Sequence, residues 1–206
     1  RIAPVRKGAE VSKTPPRTRE RGDPIVCIGT STGGPRALNT VIPGLPGDLQ
    51  AAIVIVQHMP AGFTRSLADR LNSLSAVHVK EAENGDILQN GLALLAPGGT
   101  HLEFDRNGKA SLTIRPTVHG VRPAVDITMS SLADHFGERC VSVIMTGMGR
   151  DGTNGAALVR SNGGRVIVED EASCVVWGMP RSVFEAEIYD EVVELNDIAS
   201  AIDLHV

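Results

Sequence analysis

Short apolar runs recur along the chain and alternate with segments whose apolar residues are three or four positions apart. The runs are rich in β-branched residues and lie at 24–30, 51–58, 91–98, 140–147 and 165–169. Continuous runs of this length are typical of strands that are buried on both faces of a sheet. They therefore predict five buried strands.

The segments between the runs predict helices. Residues 63–74, for example, place Phe63, Leu67, Leu71 and Leu74 at helical intervals. Further helices are predicted at 34–45, 125–137, 151–164 and near 195–204. Residues 101–114 instead alternate apolar and polar side chains around Asn107-Gly108, which predicts an antiparallel hairpin. Strands alternating with helices predict an α/β fold: a doubly wound, mainly parallel sheet with helices on both faces and one hairpin.

Charge divides the chain into two parts. Residues 1–21 carry a net charge of +5 and the remainder carries −9. Because residues 1–22 are also rich in proline and poor in large apolar side chains, they are predicted to be a basic flexible linker. Residues 23–206 are predicted to form one domain, for which a chain with 42% hydrophobic residues is long enough.

Composition argues against several classes of protein. A net charge of −4 and 3% aromatic residues argue against nucleic-acid binding. No apolar stretch approaches the length that membrane insertion requires. Cys27, Cys140 and Cys174 lack the spacing of a disulfide framework or a zinc site, which predicts reduced thiols in a cytoplasmic protein. The histidines show no metal-ligand spacing, so neither a metal nor another cofactor is expected.

Three residues with catalytic chemistry come directly after predicted strands. Ser31 follows the first strand in a Gly-x-Ser-x-Gly context, His58 follows the second, and Asp151 follows the strand at 140–147. In an open α/β sheet the carboxyl ends of the strands line the ligand site. A serine, an imidazole and a carboxylate can form a nucleophile, a base and the group that orients the base. The backbone amides of Thr32 and Met148 are the predicted oxyanion donors.

Each of these residues also has a simpler interpretation. The glycine-rich loop around Ser31 could hold a phosphate or nucleotide at a helix N-terminus. Asp151 could cap the helix that follows it, and His58 could be a structural histidine. His119 and Arg122 could line a polar cleft or lie on the surface, and the acidic run 169–171 predicts a solvated loop.

Six longer motifs resemble the catalytic domain of the bacterial chemotaxis protein-glutamate methylesterase (CheB) family. They are "VCIGTSTGGPRAL", "VQHMPAGFTRSLADRLN", "LLAPGGTHLEF", "VHGVRPAVDITMSSLA", "VIMTGMGRDGTNGAALV" and "EASCVVWGMPRSV". The resemblance covers residues 24 to about 190 in the same order. It implies Ser31 as nucleophile, His58 as base, Asp151 as orienting residue, and Thr32 and Met148 at the oxyanion.

The resemblance also implies a substrate and partners. Family members hydrolyse glutamyl methyl esters on the cytoplasmic helices of methyl-accepting chemoreceptors, and some deamidate receptor glutamines. The usual family protein has an upstream receiver domain, which residues 1–206 do not include, and the basic segment 1–22 resembles the interdomain linker. Three alternatives remain: a phosphate-binding domain, a non-catalytic receptor-docking module, and a small-molecule carboxylesterase. The few aromatic residues speak against the last of these.

Overall fold

The structure, a computed structural model, describes residues 11–206. Its strands, in chain order, are β1 (Arg17–Thr18), β2 (Ile25–Thr30), β3 (Ala52–Gln57), β4 (His78–Glu81), β5 (Gln89–Asn90), β6 (Leu92–Leu95), β7 (His101–Phe104), β8 (Ala110–Thr113), β9 (Cys140–Ile144), β10 (Arg165–Glu169) and β11 (Glu191–Val193). Its α-helices are α1 (Gly34–Gly44), α2 (Phe63–Leu74), α3 (Val125–Phe136), α4 (Thr153–Ser161), α5 (Met179–Glu185) and α6 (Ile198–Asp203).

One seven-stranded sheet organises the domain. Its strand order is β11-β10-β9-β2-β3-β6-β4, and every neighbouring pair is parallel. Strands β7 and β8 form the predicted antiparallel hairpin beside this sheet. The predicted α/β fold with a mainly parallel sheet is therefore confirmed.

The two faces of the sheet have separate hydrophobic cores. Successive side chains of a strand point to opposite faces, so Val26 and Ile28 pack with α1, α2 and α6, while Ile25 and Cys27 pack with α3, α4, α5 and the hairpin. This arrangement explains why the central strands are largely apolar and show no alternation. It also confirms that helices cover both faces.

The strand order reverses between β2 and β9. From β2 the chain passes through α1 to β3, on one side of β2 and over one face. From β9 it passes through α4 to β10, on the other side and over the opposite face. The loops that follow β2 and β9 therefore diverge, and they leave a crevice at the carboxyl ends of these two central strands.

The pattern of the sequence missed the outer strands β4 and β11, the two-residue strands β1 and β5, and helix α5. Strands β4 and β11 are the two outer strands of the sheet and are partly exposed, so they lack a buried apolar run. Helix α5 has seven residues, too few to show a period. In α2 the predicted apolar stripe is only partly buried, because Leu67 and Leu71 are in the core but Phe63 is exposed.

The predicted linker is described only from residue 11 onward; residues 1–10 lie outside the described part. Within 11–22, β1 pairs antiparallel with β5. The Lys13 ammonium donates hydrogen bonds to Asn72 Oδ1 (2.7 Å) and to the carbonyl of Val77 (3.0 Å). This stretch therefore contacts the domain, while the linker role of 1–22 stays a prediction.

Candidate active site

The three predicted catalytic residues follow adjacent strands at the carboxyl edge of the sheet. Thr30 pairs with Gln57 across β2 and β3, so the next residues, Ser31 and His58, leave the sheet side by side. Asp151 lies in the loop between β9 and α4, on the other side of β2. All five predicted site residues line one cleft of about 350 Å³; they are Ser31, Thr32, His58, Met148 and Asp151.

His58 and Asp151 form a buried pair. The His58 Nε2 atom lies 2.7 Å from Asp151 Oδ2, and the two side chains are 9% and 2% exposed. Since Nε2 is used by the carboxylate, Nδ1 is the ring nitrogen left for an interaction within the cleft. A carboxylate in this position fixes the tautomer of the ring and stabilises the imidazolium form.

The Asp151 carboxylate caps a helix, but not the helix that follows it. It accepts hydrogen bonds from the backbone N–H groups of Val125 (2.6 Å) and Asp126 (2.9 Å), in the first turn of α3. The interpretation of Asp151 as a cap of α4 is therefore wrong. Two backbone amides at a helix N-terminus are good partners for a carboxylate, so these contacts hold the Asp151 side chain in place.

Asp126 makes the reciprocal contact. Its carboxylate accepts hydrogen bonds from the N–H groups of Gly152 (2.9 Å) and Gly155 (2.8 Å), at the start of α4. Its Oδ2 atom lies 2.9 Å from Nε2 of His119, which lines the cleft. Asp126 and Asp151 thus each cap the helix that the other adjoins. An acidic residue in a first helical turn is common, so the sequence alone did not single out Asp126.

His119, Asp126 and Asp151 have donor atoms within 4.8 Å of one another, a spacing that a metal ion can use. In this structure both carboxylates already accept hydrogen bonds from backbone amides and from an imidazole. The three side chains therefore lie close together because they take part in the hydrogen bonds that connect α3 and α4.

The turn that carries Ser31 is held by its backbone. The Ser31 N–H donates to the carbonyl of Thr146 (3.0 Å), and the Ser31 carbonyl accepts from Gln57 Nε2 (3.0 Å). Gly33 has φ of 86°, a left-handed conformation that favours glycine, and α1 begins directly after it. Among the described residues Ser31 Oγ makes no hydrogen bond, so its hydroxyl is available to a substrate. Catalytic hydrogen bonds often close only when substrate is bound.

Thr32 and Met148, which carry the predicted oxyanion amides, line the same cleft. Within residues 11–206, the N–H groups of Thr32 and Met148 donate to no protein acceptor. The turn at Met148 is fixed because the Gly147 carbonyl accepts from the N–H groups of Gly178 (3.1 Å) and Met179 (2.8 Å). The Met148 side chain is 70% exposed. Unpaired amides on a rigid turn are suited to stabilise a developing negative charge.

Glu169 departs from the predicted solvated loop. It is the last residue of β10, at the same edge of the sheet as the cleft, and it is 0% exposed. Burial raises the pKa of its carboxyl group, although hydrogen bonds from Thr146 and Ser173 partly oppose this effect. The nearby Cys174 thiol also has a raised pKa, mainly because of burial, and stays neutral.

We expect the free energy of unfolding to fall as pH rises through the raised pKa of Glu169. In the folded protein the carboxyl group keeps its proton at pH values where the unfolded chain has released it. Its stabilising contribution is therefore complete below the pKa of the unfolded chain and is lost as pH rises through the folded pKa. Urea unfolding of wild type and Glu169→Gln across a pH series measures the effect. An identical pH dependence in both proteins would contradict it.

The three cysteines are free, and Cys27 and Cys140 are buried. Burial raises the pKa of the Cys140 thiol to about 12. These groups pack as small apolar side chains. In the described residues no helix is long and apolar enough to span a membrane.

The domain is thus a doubly wound α/β domain. The carboxyl edge of its sheet carries a serine, a buried imidazole–carboxylate pair and free backbone amides. The family model described as "CheB methylesterase" matches residues 26–202. The chain therefore belongs to the CheB methylesterase family. This membership confirms the resemblance found in the sequence motifs.

Relatives and one solved structure agree with the family. A protein-glutamate methylesterase/protein-glutamine glutaminase from Symbiobacterium thermophilum is 53% identical over 178 residues, which cover 86% of this chain and 49% of the relative. The protein of the same name from Pseudomonas putida is 48% identical over 174 residues, or 84% of this chain and 46% of the relative. The chain thus spans about half the length of these curated relatives. The Thermotoga maritima CheB methylesterase catalytic domain matches with a TM-score of 0.87 and 47% identity, over 89% of this chain and 99% of that chain.

Proposed function

We propose that this chain hydrolyses glutamyl methyl esters on the cytoplasmic helices of chemoreceptors and releases methanol. The observation that carries the proposal is the buried His58–Asp151 pair, 2.7 Å apart, in one cleft with Ser31. The names of the relatives supply the substrate class, since they are protein-glutamate methylesterases and protein-glutamine glutaminases. The proposed enzyme needs no metal or cofactor and acts in the cytoplasm.

In the acylation step, Ser31 Oγ attacks the ester carbonyl carbon while His58 accepts the hydroxyl proton on Nδ1. Asp151 stays ionised and stabilises the imidazolium. The carbonyl oxygen becomes an oxyanion, which the N–H groups of Thr32 and Met148 stabilise. The intermediate collapses when the bond to the methoxy oxygen breaks. That oxygen takes the proton from His58 and leaves as methanol.

In the deacylation step, a water molecule attacks the glutamyl–Ser31 ester and gives a proton to His58. The second intermediate collapses when the bond from the carbonyl carbon to Ser31 Oγ breaks, and His58 returns its proton to that oxygen. The product leaves as the glutamic acid side chain and becomes the carboxylate when it loses its remaining proton to solvent. A receptor glutamine would follow the same route with ammonia as leaving group. Deamidation therefore uses the same residues, and it is the second activity in the relatives' names.

Docking of an acidic receptor helix would be helped by basic groups around the cleft. Arg150 lines the cleft itself, and Arg122 lines the adjoining pocket with His58. Three other arginines lie on α2 and α5 and line neither of these two pockets: Arg65, Arg70 and Arg181. Arg150 and Arg122 are thus the preferred candidates for receptor contact. A receiver domain upstream of the segment 1–22 would be the family's regulatory partner.

The loop before α1 is less suited to a phosphate than its glycines indicate. Of its amides, the N–H of Ser31 already donates to Thr146 and the N–H of Gly34 donates to the carbonyl of Ser31. A phosphate cradle needs several free amides that point to one centre. The hydrolase interpretation uses the free amide of Thr32 and also accounts for His58 and Asp151.

We expect this chain to release methanol from receptor fragments that carry glutamyl methyl esters. The measurement follows methanol with time, and the matched control is the same fragment with unmethylated glutamates. An alkyl fluorophosphonate, which labels activated serines, is applied in parallel. Labelling of Ser31 without methanol release would show an activated serine that acts on an acyl substrate other than the methyl ester. Neither labelling nor methanol release would contradict the hydrolase proposal and favour the docking module.

A further inference from the structure

A buried carboxyl group with no cationic partner adjoins the proposed active site. Within the described residues, the groups that influence the pKa of the Glu169 carboxyl are the backbone N–H of Thr146 and the side chains of Ser173 and Cys174. None of these groups carries a positive charge. Burying an unpaired acid costs free energy. Such groups are often retained because they serve a site.

The contacts of Glu169 fix the end of the neighbouring strand. Its Oε2 atom accepts a hydrogen bond from the N–H of Thr146 (2.7 Å), and its Oε1 atom accepts one from Ser173 Oγ (3.2 Å). The ladder between β9 and β10 ends with the pair Ile144 and Val168. Thr146 is buried beyond that point, so its N–H would have no backbone acceptor. The Glu169 side chain replaces the missing partner.

Thr146 in turn holds the residues around the nucleophile. Its carbonyl accepts hydrogen bonds from the N–H of Ser31 (3.0 Å) and from Thr30 Oγ1 (3.0 Å). Its own hydroxyl donates to the carbonyl of Thr32 (2.9 Å) and accepts from the N–H of Val176 (3.0 Å). One residue thus contacts the side chain of the residue before the proposed nucleophile and the backbone at and after it.

We propose that Glu169 is a positioning residue that acts through Thr146 to hold Ser31 and the oxyanion amide of Thr32 in their reactive arrangement. The inference rests on the proposed function and adds a group that does not touch the substrate. Glu169 anchors Thr146 N–H, and Thr146 anchors the turn on both sides of Ser31. Catalysis by a preorganised site is sensitive to displacements of about 1 Å, which can cost about 10²-fold in rate.

The test compares variants of Glu169 in the whole chain. Glu169→Leu removes the acceptor for Thr146 N–H, and kcat is expected to fall by about 10- to 100-fold with KM within about twofold. Glu169→Gln keeps an acceptor oxygen and should restore kcat to within about threefold of wild type. Glu171→Gln, in the same acidic run but exposed, is the matched control and should leave both constants unchanged.

The rate at which an alkyl fluorophosphonate labels Ser31 separates this inference from the proposed function. If the wild-type protein were not labelled, both the proposed function and this inference would be contradicted. Labelling of wild type and of folded Glu169→Leu at the same rate would overturn the inference alone. If Glu169→Leu does not fold, Glu169→Asp keeps the acid but withdraws the acceptor from Thr146. It should label at least about threefold more slowly, and a wild-type rate would overturn the inference.

Discussion

Ser31→Ala is expected to lower kcat for ester hydrolysis by about 10⁶-fold, the scale of loss when a serine nucleophile of a triad is removed. The variant lacks the atom that forms the acyl-enzyme, so His58 and Asp151 have no nucleophile to activate. The fold should be unaffected, because Ser31 Oγ makes no hydrogen bond in the described residues and the backbone contacts to Thr146 and Gln57 remain.

Methanol release and urea unfolding of the same protein samples measure the two parts of this prediction. Ser161→Ala is the matched control, because Ser161 is exposed at the carboxyl end of α4, away from the cleft. A folded Ser31→Ala protein with wild-type turnover would show that Ser31 is not the nucleophile.

Asp151→Asn is expected to lower kcat by about 10⁴-fold, which is less than the loss in Ser31→Ala. The His58 ring keeps a hydrogen-bond partner at position 151, but that partner holds the ring in the wrong tautomer. The structure adds an effect on stability. The carboxylate accepts three N–H groups, from Val125, Asp126 and His58. An amide has one acceptor oxygen, and its NH₂ group would face one of these donors. The unpaired buried donors should cost about 1–3 kcal/mol in the free energy of unfolding.

Kinetics at a temperature where the variant is fully folded separate the two effects of Asp151→Asn. The exposed Asp69, on α2, provides the control substitution Asp69→Asn, which should change neither quantity. Equal losses of kcat in Asp151→Asn and Ser31→Ala would indicate a structural rather than an orienting role for Asp151. A wild-type value of kcat in Asp151→Asn would show that Asp151 has no role in catalysis.

The central strands and the residues that follow them were predictable because burial on both faces leaves a continuous apolar run. That run ends at Ser31 and His58, where the chain leaves the sheet. The edge strands β4 and β11 and the short helix α5 were not predictable, since each is partly exposed or too short to show a period. The interior of an α/β sheet is thus easier to infer than its rim.

The supporting residues illustrate the limit within the site. Asp126 and Asp151 are 25 positions apart, and only the packing of α3 against α4 brings each carboxylate to the other helix. Glu169 belongs to an acidic run for which the sequence predicts a solvated loop. It is buried because it is the last residue of β10 and lies next to the end of β9. Hydrogen-bond partners far apart in sequence leave no local pattern.

Sequence alone was enough to infer the class of fold, the family, and the positions of Ser31, His58 and Asp151 at strand ends, because these depend on local periodicity and contiguous motifs. The contacts of each side chain are set by the tertiary structure. It showed that His58 uses Nε2 for Asp151, that Asp151 caps α3, and that Glu169 supports Thr146. Those contacts depend on the order in which the strands are arranged, which no single segment of the chain encodes.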